Sequence, residues 1–227
     1  MRLIRSKKRL AIAEITGTLI MVAITLVAGA AVFGWINGQA GTSESAYGQS
    51  VASNVNFLNE RFVEVSQSYS GAGTGGVCSG GPPAQCTGAS FWLYNNGQVG
   101  FTLYSLKIVS QNPSYPMNIL FYSVCTASTS NCGFVMYNQA GTSVVCSNNA
   151  GGTPPPPNGI YQNNGVNNIV PALLLQNQLS QYPYQITMPT AVTCSAGAQY
   201  LYDGVAYTFT FTGLYGNIIQ TTLTVNG

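Results

Sequence analysis

Histidine is absent from this chain, and charge is nearly so: of 227 residues, 7 are Lys or Arg and 5 are Asp or Glu. Without histidine, Ser-His-Asp and Cys-His constellations cannot be assembled, and a metal site loses its commonest ligand. No Cys-x-x-Cys pair occurs, so a structural zinc would need scattered thiolates alone. The sequence also lacks an Asn-x-Ser/Thr acceptor, because Asn112-Pro113-Ser114 carries the excluded proline. It lacks a phosphate-cradling loop as well, since "GAGTGG" is followed by no helical pattern. No metal or organic cofactor is expected, and an enzyme is the reading with the least support. A carboxylate pair for glycoside chemistry would have to come from Glu60, Glu64 and Asp203. With so few acids to pair, a solvated surface role is the expectation for these three.

The few cations that exist are concentrated. Arg2, Arg5, Lys7, Lys8 and Arg9 precede residue 10, and only Arg61 and Lys107 follow. Set against Glu14, Glu44, Glu60, Glu64 and Asp203, the rest of the chain is formally −3, which leaves no electrostatic footprint for nucleic acid. Its surface has to be solvated by Ser, Thr, Asn, Gln and some of the 14 tyrosines. Cross-strand packing is the favoured reading of those tyrosines, with a contact surface as the competing one.

What the sequence does have is one long apolar run. Ile15 to Ile36 covers 22 residues whose only polar side chains are Thr16, Thr18 and Thr25. As a helix this run extends about 33 Å, enough to cross a bilayer. Cations before it and almost none after it place the amino terminus in the cytoplasm and the remainder outside. Tyr47, Val51, Val55 and Leu58 then recur at helical spacing, so the helix is expected to continue to about Asn59. Glycines at 29, 34, 38, 41 and 48 each cost about 1 kcal/mol relative to alanine inside a helix. Gly34 with Gly38, and Ala13 with Gly17, have the small-xxx-small spacing that lets helices approach closely.

From Arg61 onward the pattern changes to short runs rich in β-branched and aromatic residues, such as "RFVEVSQSY", "MNILFYSV" and "AYTFTFTG". Asn96-Gly97 lies between two such runs, which predicts a single hairpin over residues 90–110. The Gly/Pro-rich stretches 70–88 and 146–159 read as surface loops. The fold class expected is therefore α+β. A long N-terminal hydrophobic helix precedes one antiparallel, Ig-like β-sandwich, since the strands on either side of the proline run are too few to close two cores. The organisation expected is a basic leader over 1–11, a hydrophobic helix over 12–59 and a β-sandwich head over 60–227.

Six cysteines, Cys78, Cys86, Cys125, Cys132, Cys146 and Cys194, all follow the apolar run, the distribution of an exported, oxidised domain. They allow 15 connectivities. The sequence-local set, Cys78–Cys86, Cys125–Cys132 and Cys146–Cys194, is the expectation taken.

The apolar segment has three possible fates. A cleavable secretory signal would use Ala28-Gly29-Ala30 as its small-x-small site, but the apolar stretch continues past it. A plain anchor would gain nothing from Glu14 at its head, because an acid there is costly to bury without a partner.

The third fate comes from a resemblance. "IAEITGTLIMVAITLVAGAAVFG" resembles the amino-terminal segment of archaeal type IV pilins, in the archaellin superfamily, which share a Gly, a Met-Val-Ala-Ile-Thr run and a small-residue stretch in this order. More loosely, "FWLYNNGQVGFTLYSLKIV" is similar to that family's strand-Asn-Gly-strand segment, and "YTFTFTGLYGN" to its Tyr-x-Phe-rich strand and Gly-Asn turn. The resemblance implies a class III signal peptide cut on the cytoplasmic side by a membrane-embedded prepilin peptidase. Lys7, Lys8 and Arg9 would be its recognition cluster and Ala11–Ile12 the cut. The chain departs from the family pattern in having Leu10-Ala11 where a charged residue and glycine are usual.

The resemblance further implies an assembly helix containing Glu14, Gly17, Gly29, Gly34 and Gly38, with Glu14 pairing to a neighbour's new amino terminus. Implied partners are identical subunits in a helical filament, the peptidase, the assembly platform and its ATPase, and the membrane before assembly. The function implied is a structural subunit of an extracellular pilus that mediates surface adhesion. An archaellin of a motility filament and a singly anchored cell-surface binding β-domain are the alternatives.

Overall fold

The computed structural model describes residues 3–71, 78–123, 133–149, 159–165, 168–169, 171–190, 194 and 197–226, with side chains described from Ile15 onward and not at 148, 149 and 168. The chain divides into two compact units, Met1–Asn54 and Val55–Gly227.

The first unit consists of one element. Helix α1 spans Leu3–Asn59, and its last five residues belong to the second unit. Ala, Ile and Val are the commonest apolar side chains of its apolar part; Ala loses no rotamer freedom in a helix, while the β-branched Ile and Val are held to one preferred rotamer there. The helix ends where its hydrogen bonds find other partners. Glu60 N–H still donates to Asn56 O at 2.8 Å, while Asn59 O accepts from Gln98 N–H at 2.9 Å. A carbonyl that the helix end would leave orphaned is thereby satisfied by a loop of the β unit.

The second unit is antiparallel β throughout its described pairings. Its strands are β1 (Phe62–Ser70), β2 (Gln85–Cys86), β3 (Gly88–Asn95), β4 (Leu103–Ser110), β5 (Asn118–Tyr122), β6 (Gly133–Tyr137) and β7 (Val144–Asn149). There follow β8 (Tyr161–Asn163), β9 (Asn168–Ile169), β10 (Gln178–Leu179), β11 (Tyr184–Thr187), β12 (Leu201–Tyr202), β13 (Ala206–Gly213) and β14 (Ile218–Thr224). One sheet runs β1-β3-β11-β8-β9, with β10 also pairing β3; the other runs β14-β13-β4-β5-β6-β7; β12 and β2 form a small ribbon. The chain is thus α+β, with two main sheets arranged as a sandwich.

The core lies between those sheets. Phe91 of β3 meets Phe209 and Phe211 of β13 at ring-centroid distances of 5.2 and 5.1 Å, the second edge-on at 79°. Leu93, Leu106, Ile108, Ile119, Phe121 and Phe134 complete the same cluster from β3, β4, β5 and β6. In β13 the phenylalanines at 209 and 211 point inward while Thr210 between them and Thr212 after them are half-buried, the period of two that a half-covered sheet requires. Each fully buried Phe contributes roughly 1.5–3 kcal/mol.

The hairpin expected over residues 90–110 does not form. β3 and β4 lie in different sheets, and the chain between them crosses the sandwich. Neither Asn96 nor Gly97 has a positive φ, so the primed turn that makes Asn-Gly a hairpin signal is absent. Asn95 holds the crossing instead: its Oδ1 accepts from Gly97 N–H at 2.9 Å, and its Nδ2 donates to Val99 O and Leu174 O, both at 2.9 Å. Gly97 is required for another reason, because a Cβ there would collide with the backbone of Asn59 and Arg61.

The stretch 146–159, expected to be a loop, begins as strand. Cys146 to Asn149 lie in β7, where Cys146 faces Met136 of β6. Residues 150–158 lie outside the described residues. Of the stretch 70–88, the described part is a narrow ribbon in which Ser79 and Gln85 exchange backbone hydrogen bonds at 3.1 and 2.9 Å.

Candidate functional site

The apolar part of α1 has no side that is built for water. Ile15, Leu19, Met21, Val27, Phe33 and Trp35 are each between 62% and 73% exposed. At about 100° per residue these positions surround the helix rather than forming one stripe. Two of the three hydroxyls within the run, those of Thr18 and Thr25, are turned to the helix backbone. Thr18 Oγ1 donates to Ile15 O at 2.9 Å, and Thr25 Oγ1 lies 3.0 and 2.9 Å from Met21 O and Val22 O. Such back-bonding satisfies a hydroxyl that would otherwise be costly in lipid or in a packed bundle. This is the one described helix long and apolar enough to cross a membrane.

Of the residues expected in an assembly helix, Gly34 and Gly38 are one turn apart on the same face. Gly29 lies roughly 140–180° around from them at about 100° per residue. A Cβ added at Gly17, Gly29, Gly34 or Gly38 would meet nothing within 4 Å. The helix penalty at these positions therefore has no compensating contact among the described residues. A shallow apolar hollow follows the i, i+4 ridges past Ala23, Ala28 and Ala31, beside Ile24 and Val27. Lys7, Lys8, Arg9, Ala11, Ile12 and Glu14 lie in the backbone of α1, and their side chains are outside the described residues.

Among the cysteines, Cys78 is bonded to Cys86 and Cys146 to Cys194, with Cα separations of 4.5 and 5.5 Å. Cys125 and Cys132 lie outside the described residues. The described groups of His, Cys, Asp and Glu include no cluster able to hold a metal ion.

Two of the three carboxylates, Glu60 and Glu64, depart from the solvated role expected of them. Glu60, the first residue past α1, is 0% exposed. Its Oε1 accepts from Tyr215 N–H at 3.4 Å and its Oε2 from Asn217 N–H at 3.2 Å, while its carbonyl accepts from Asn217 Nδ2. The carboxylate occupies the space that a side chain at position 213 would fill, so Gly213 is a condition for this arrangement. Burial raises the Glu60 pKa above the ordinary value, and the hydrogen bonds from Asn217, Tyr215 and Leu214 offset only part of that rise. Glu60 thus ties the start of β1 to the β13–β14 turn through one buried acid. Glu64 is half-buried, its Oε1 has no hydrogen-bond partner among the described residues, and burial raises its pKa as well.

Sequence reasoning passed over Glu60 because a lone acid in a charge-poor chain reads as surface. Two signals were present: its position immediately after the helix, and a Gly-rich turn, "GLYGN", able to offer converging N–H groups. The order found, an apolar N-terminal helix followed by a disulfide-stapled antiparallel β unit, fits a pilin-like architecture. No protein-family model matches the chain and no curated protein matches it, so any narrower assignment rests on these residues and their geometry.

Proposed function

We propose that the chain is a structural subunit of an extracellular archaeal type IV pilus that polymerises through α1 and carries the β unit outward as an adhesive surface. The observation that carries this reading is the apolar part of α1, exposed on every side, where a Cβ at Gly17, Gly29, Gly34 or Gly38 would meet nothing within 4 Å among the described residues. A simple anchor needs only apolar length, and alanine would serve it better than glycine by about 1 kcal/mol per site. Close packing between copies gives the small residues a use.

Membrane and filament are successive environments for the same surface. In lipid, apolar side chains gain little from one another, so small-residue packing selects the partner. Outside the membrane, about 20 residues exposing roughly 100 Å² of apolar surface each represent tens of kcal/mol at about 25 cal/mol/Å². A subunit so placed stays in the polymer. The disulfides Cys78–Cys86 and Cys146–Cys194 are consistent with an oxidising exterior.

The test is the amino-terminal sequence of protein recovered from sheared cell-surface material. Filaments whose subunits begin at or next to Ile12 support the proposal. Soluble protein beginning near Ala31 would instead mark a secretory signal, and membrane-bound protein with its basic leader intact would mark a single anchor.

A further inference from the structure

Two adjoining hollows on the β unit share Pro116, Met117 and Met136 in their lining, with volumes of about 280 and 250 Å³. Each lies just under the small end of ligand pockets, about 300–1,000 Å³, and together they form one bent groove. The first hollow is walled by tyrosines. The rings of Tyr115 and Tyr202 are 4.4 Å apart and those of Tyr200 and Tyr202 6.4 Å apart, nearly perpendicular at 74°. The amide of Gln199 edges this hollow, and Gln139 edges the second. No side chain lining either hollow carries a charge.

The second hollow is lined mostly by apolar surface, with the amide residues Asn118, Asn138 and Gln139 among its lining. Asn118 is 5% exposed, and its Nδ2 donates to Asn138 O at 3.3 Å. Its Oδ1 is buried with no donor among the described residues. The Asn138 amide is turned to Thr142, with Nδ2 donating to Thr142 Oγ1 and Oδ1 accepting from Thr142 N–H, both at 2.8 Å.

The groove is also held rigid by both described disulfides. Cys78–Cys86 fixes β2, which pairs with the strand carrying Tyr202, and Tyr202 N–H is further anchored on the buried Tyr207 hydroxyl at 3.0 Å. Cys146–Cys194 joins β7 to the segment leading to Gln199 and Tyr200, and Cys146 Sγ lies 3.8 Å from Met136 Sδ on the shared floor. A groove fixed in this way loses little side-chain freedom when it is filled.

We infer that this groove binds a neutral, linear oligosaccharide, one sugar ring against the Tyr115–Tyr200–Tyr202 wall and the next over Asn118. Aromatic faces accept the C–H faces of a pyranose, side-chain amides both donate to and accept from its hydroxyls, and a lining without charge has nothing to offer an acidic sugar. The inference deepens the adhesive reading proposed above by assigning it a ligand class, and it rests on that reading only for its biological purpose.

The test uses the full chain in micelles of a detergent without a sugar headgroup, probed by saturation-transfer NMR. The probes are neutral hexasaccharides of glucose (α-1,4, β-1,4 and β-1,3), mannose and N-acetylglucosamine, with an acidic oligogalacturonate as contrast. Transfer to at least one neutral hexasaccharide, absent for the oligogalacturonate, is expected. Tyr200→Ala weakens it tenfold or more and Tyr200→Phe restores it, while Gln199→Ala, at a half-buried edge, weakens it severalfold with the near-ultraviolet dichroism unchanged. Transfer to no neutral probe, transfer to the acidic one alone, or affinity unchanged in both Gln199→Ala and Tyr200→Ala overturns the inference. Because the assay needs no filament, a chain that polymerises without binding sugar, or binds sugar without polymerising, identifies which of the two readings has failed.

Discussion

The two regions of this molecule answer the same physical demand in opposite ways. In the β unit, Phe91, Phe209 and Phe211 find one another, the Glu60 carboxylate finds two backbone N–H groups, and Gly97 and Gly213 are glycines because neighbouring atoms leave no room for a Cβ. In the apolar part of α1, large side chains stay exposed and glycines face empty space. The β unit buries its apolar side chains within one chain, whereas the apolar part of α1 finds no cover for its own among the described residues. Changes in the β unit should therefore appear as altered stability of a single chain, and changes in the helix as altered association.

The largest effect is expected from a charge in the helix. Val27→Asp places a carboxylate midway along the apolar run, where insertion costs about 2.5–3.5 kcal/mol. Filaments should be absent by electron microscopy of sheared material, while the solubilised chain keeps the near-ultraviolet dichroism of its β unit. Normal filaments from this variant would show that the region does not form a packed interface, and would break the contrast at its centre.

The second effect separates the two staples within the β unit. Chain-entropy arguments assign about 4 kcal/mol to a loop of the Cys146–Cys194 separation, 48 residues, and about 2–3 kcal/mol to the 8-residue separation of Cys78–Cys86. Replacing each pair by serine and following denaturant unfolding should show the larger loss for the 146/194 pair. Neither replacement should prevent α1 from entering a membrane, since the helix is chemically untouched.

Much of this contrast could be read from sequence wherever structure is decided by neighbours along the chain. The apolar run and the strand alternation in "AYTFTFTG" are local patterns, and local patterns state which face needs covering. Asn96-Gly97 misled because one dipeptide serves two purposes, a primed turn or a close backbone approach. The choice was made by Asn59 and Arg61, whose backbone crowds Gly97. Glu60 was hidden for a similar reason: its partners, Tyr215 and Asn217, lie more than 150 positions away. β7 was obscured by its Asn-rich composition, and its pairing with β6 outweighs that weak propensity. The tyrosine groove draws on segments near residues 115, 136 and 200, a convergence that no spacing rule announces.

A third effect puts one substitution into both regions. Gly97→Ala drives a Cβ into the backbone of Asn59 and Arg61, and Gly213→Ala drives one into the Glu60 carboxylate. Overpacking of this kind typically costs about 1–3 kcal/mol. Gly97→Ala should be the worse of the two, because backbone yields less than the end of a side chain. Gly34→Ala should do the reverse, stabilising the helix by about 1 kcal/mol while weakening filament assembly. Thermal melts of the solubilised chain, read beside filament yield, check both signs at once. A Gly34→Ala variant with unchanged filament yield would remove the glycines from the assembly argument.

The smallest effect is a pH dependence, and its sign follows from burial. The Glu60 and Glu64 pKa values are both raised from 4.5, so between that value and the raised ones the folded chain holds more protons than the unfolded chain. Stability then falls as pH rises through this window and is greatest on its acid side. The tyrosines repeat the pattern at high pH. Burial pushes Tyr207 up to about 12 and raises Tyr69 and Tyr184 further, so folding loses stability again as unfolded tyrosines ionise above about 10. Denaturant midpoints of the solubilised chain should decline from pH 4.5 towards neutrality, and Glu64→Gln should flatten that slope without removing the Glu60 contacts to the β13–β14 turn. A midpoint that instead rises over this interval would mean that the N–H groups of Tyr215 and Asn217 outweigh the burial of Glu60, and that the junction is built around a carboxylate rather than an acid. Under the proposed function, assembly driven by the uncharged surface of residues 15–36 should show no such slope over this interval, and a slope in assembly alone would point to Glu14 instead, so measuring both against pH on one preparation tells the β unit's acids from the helix's.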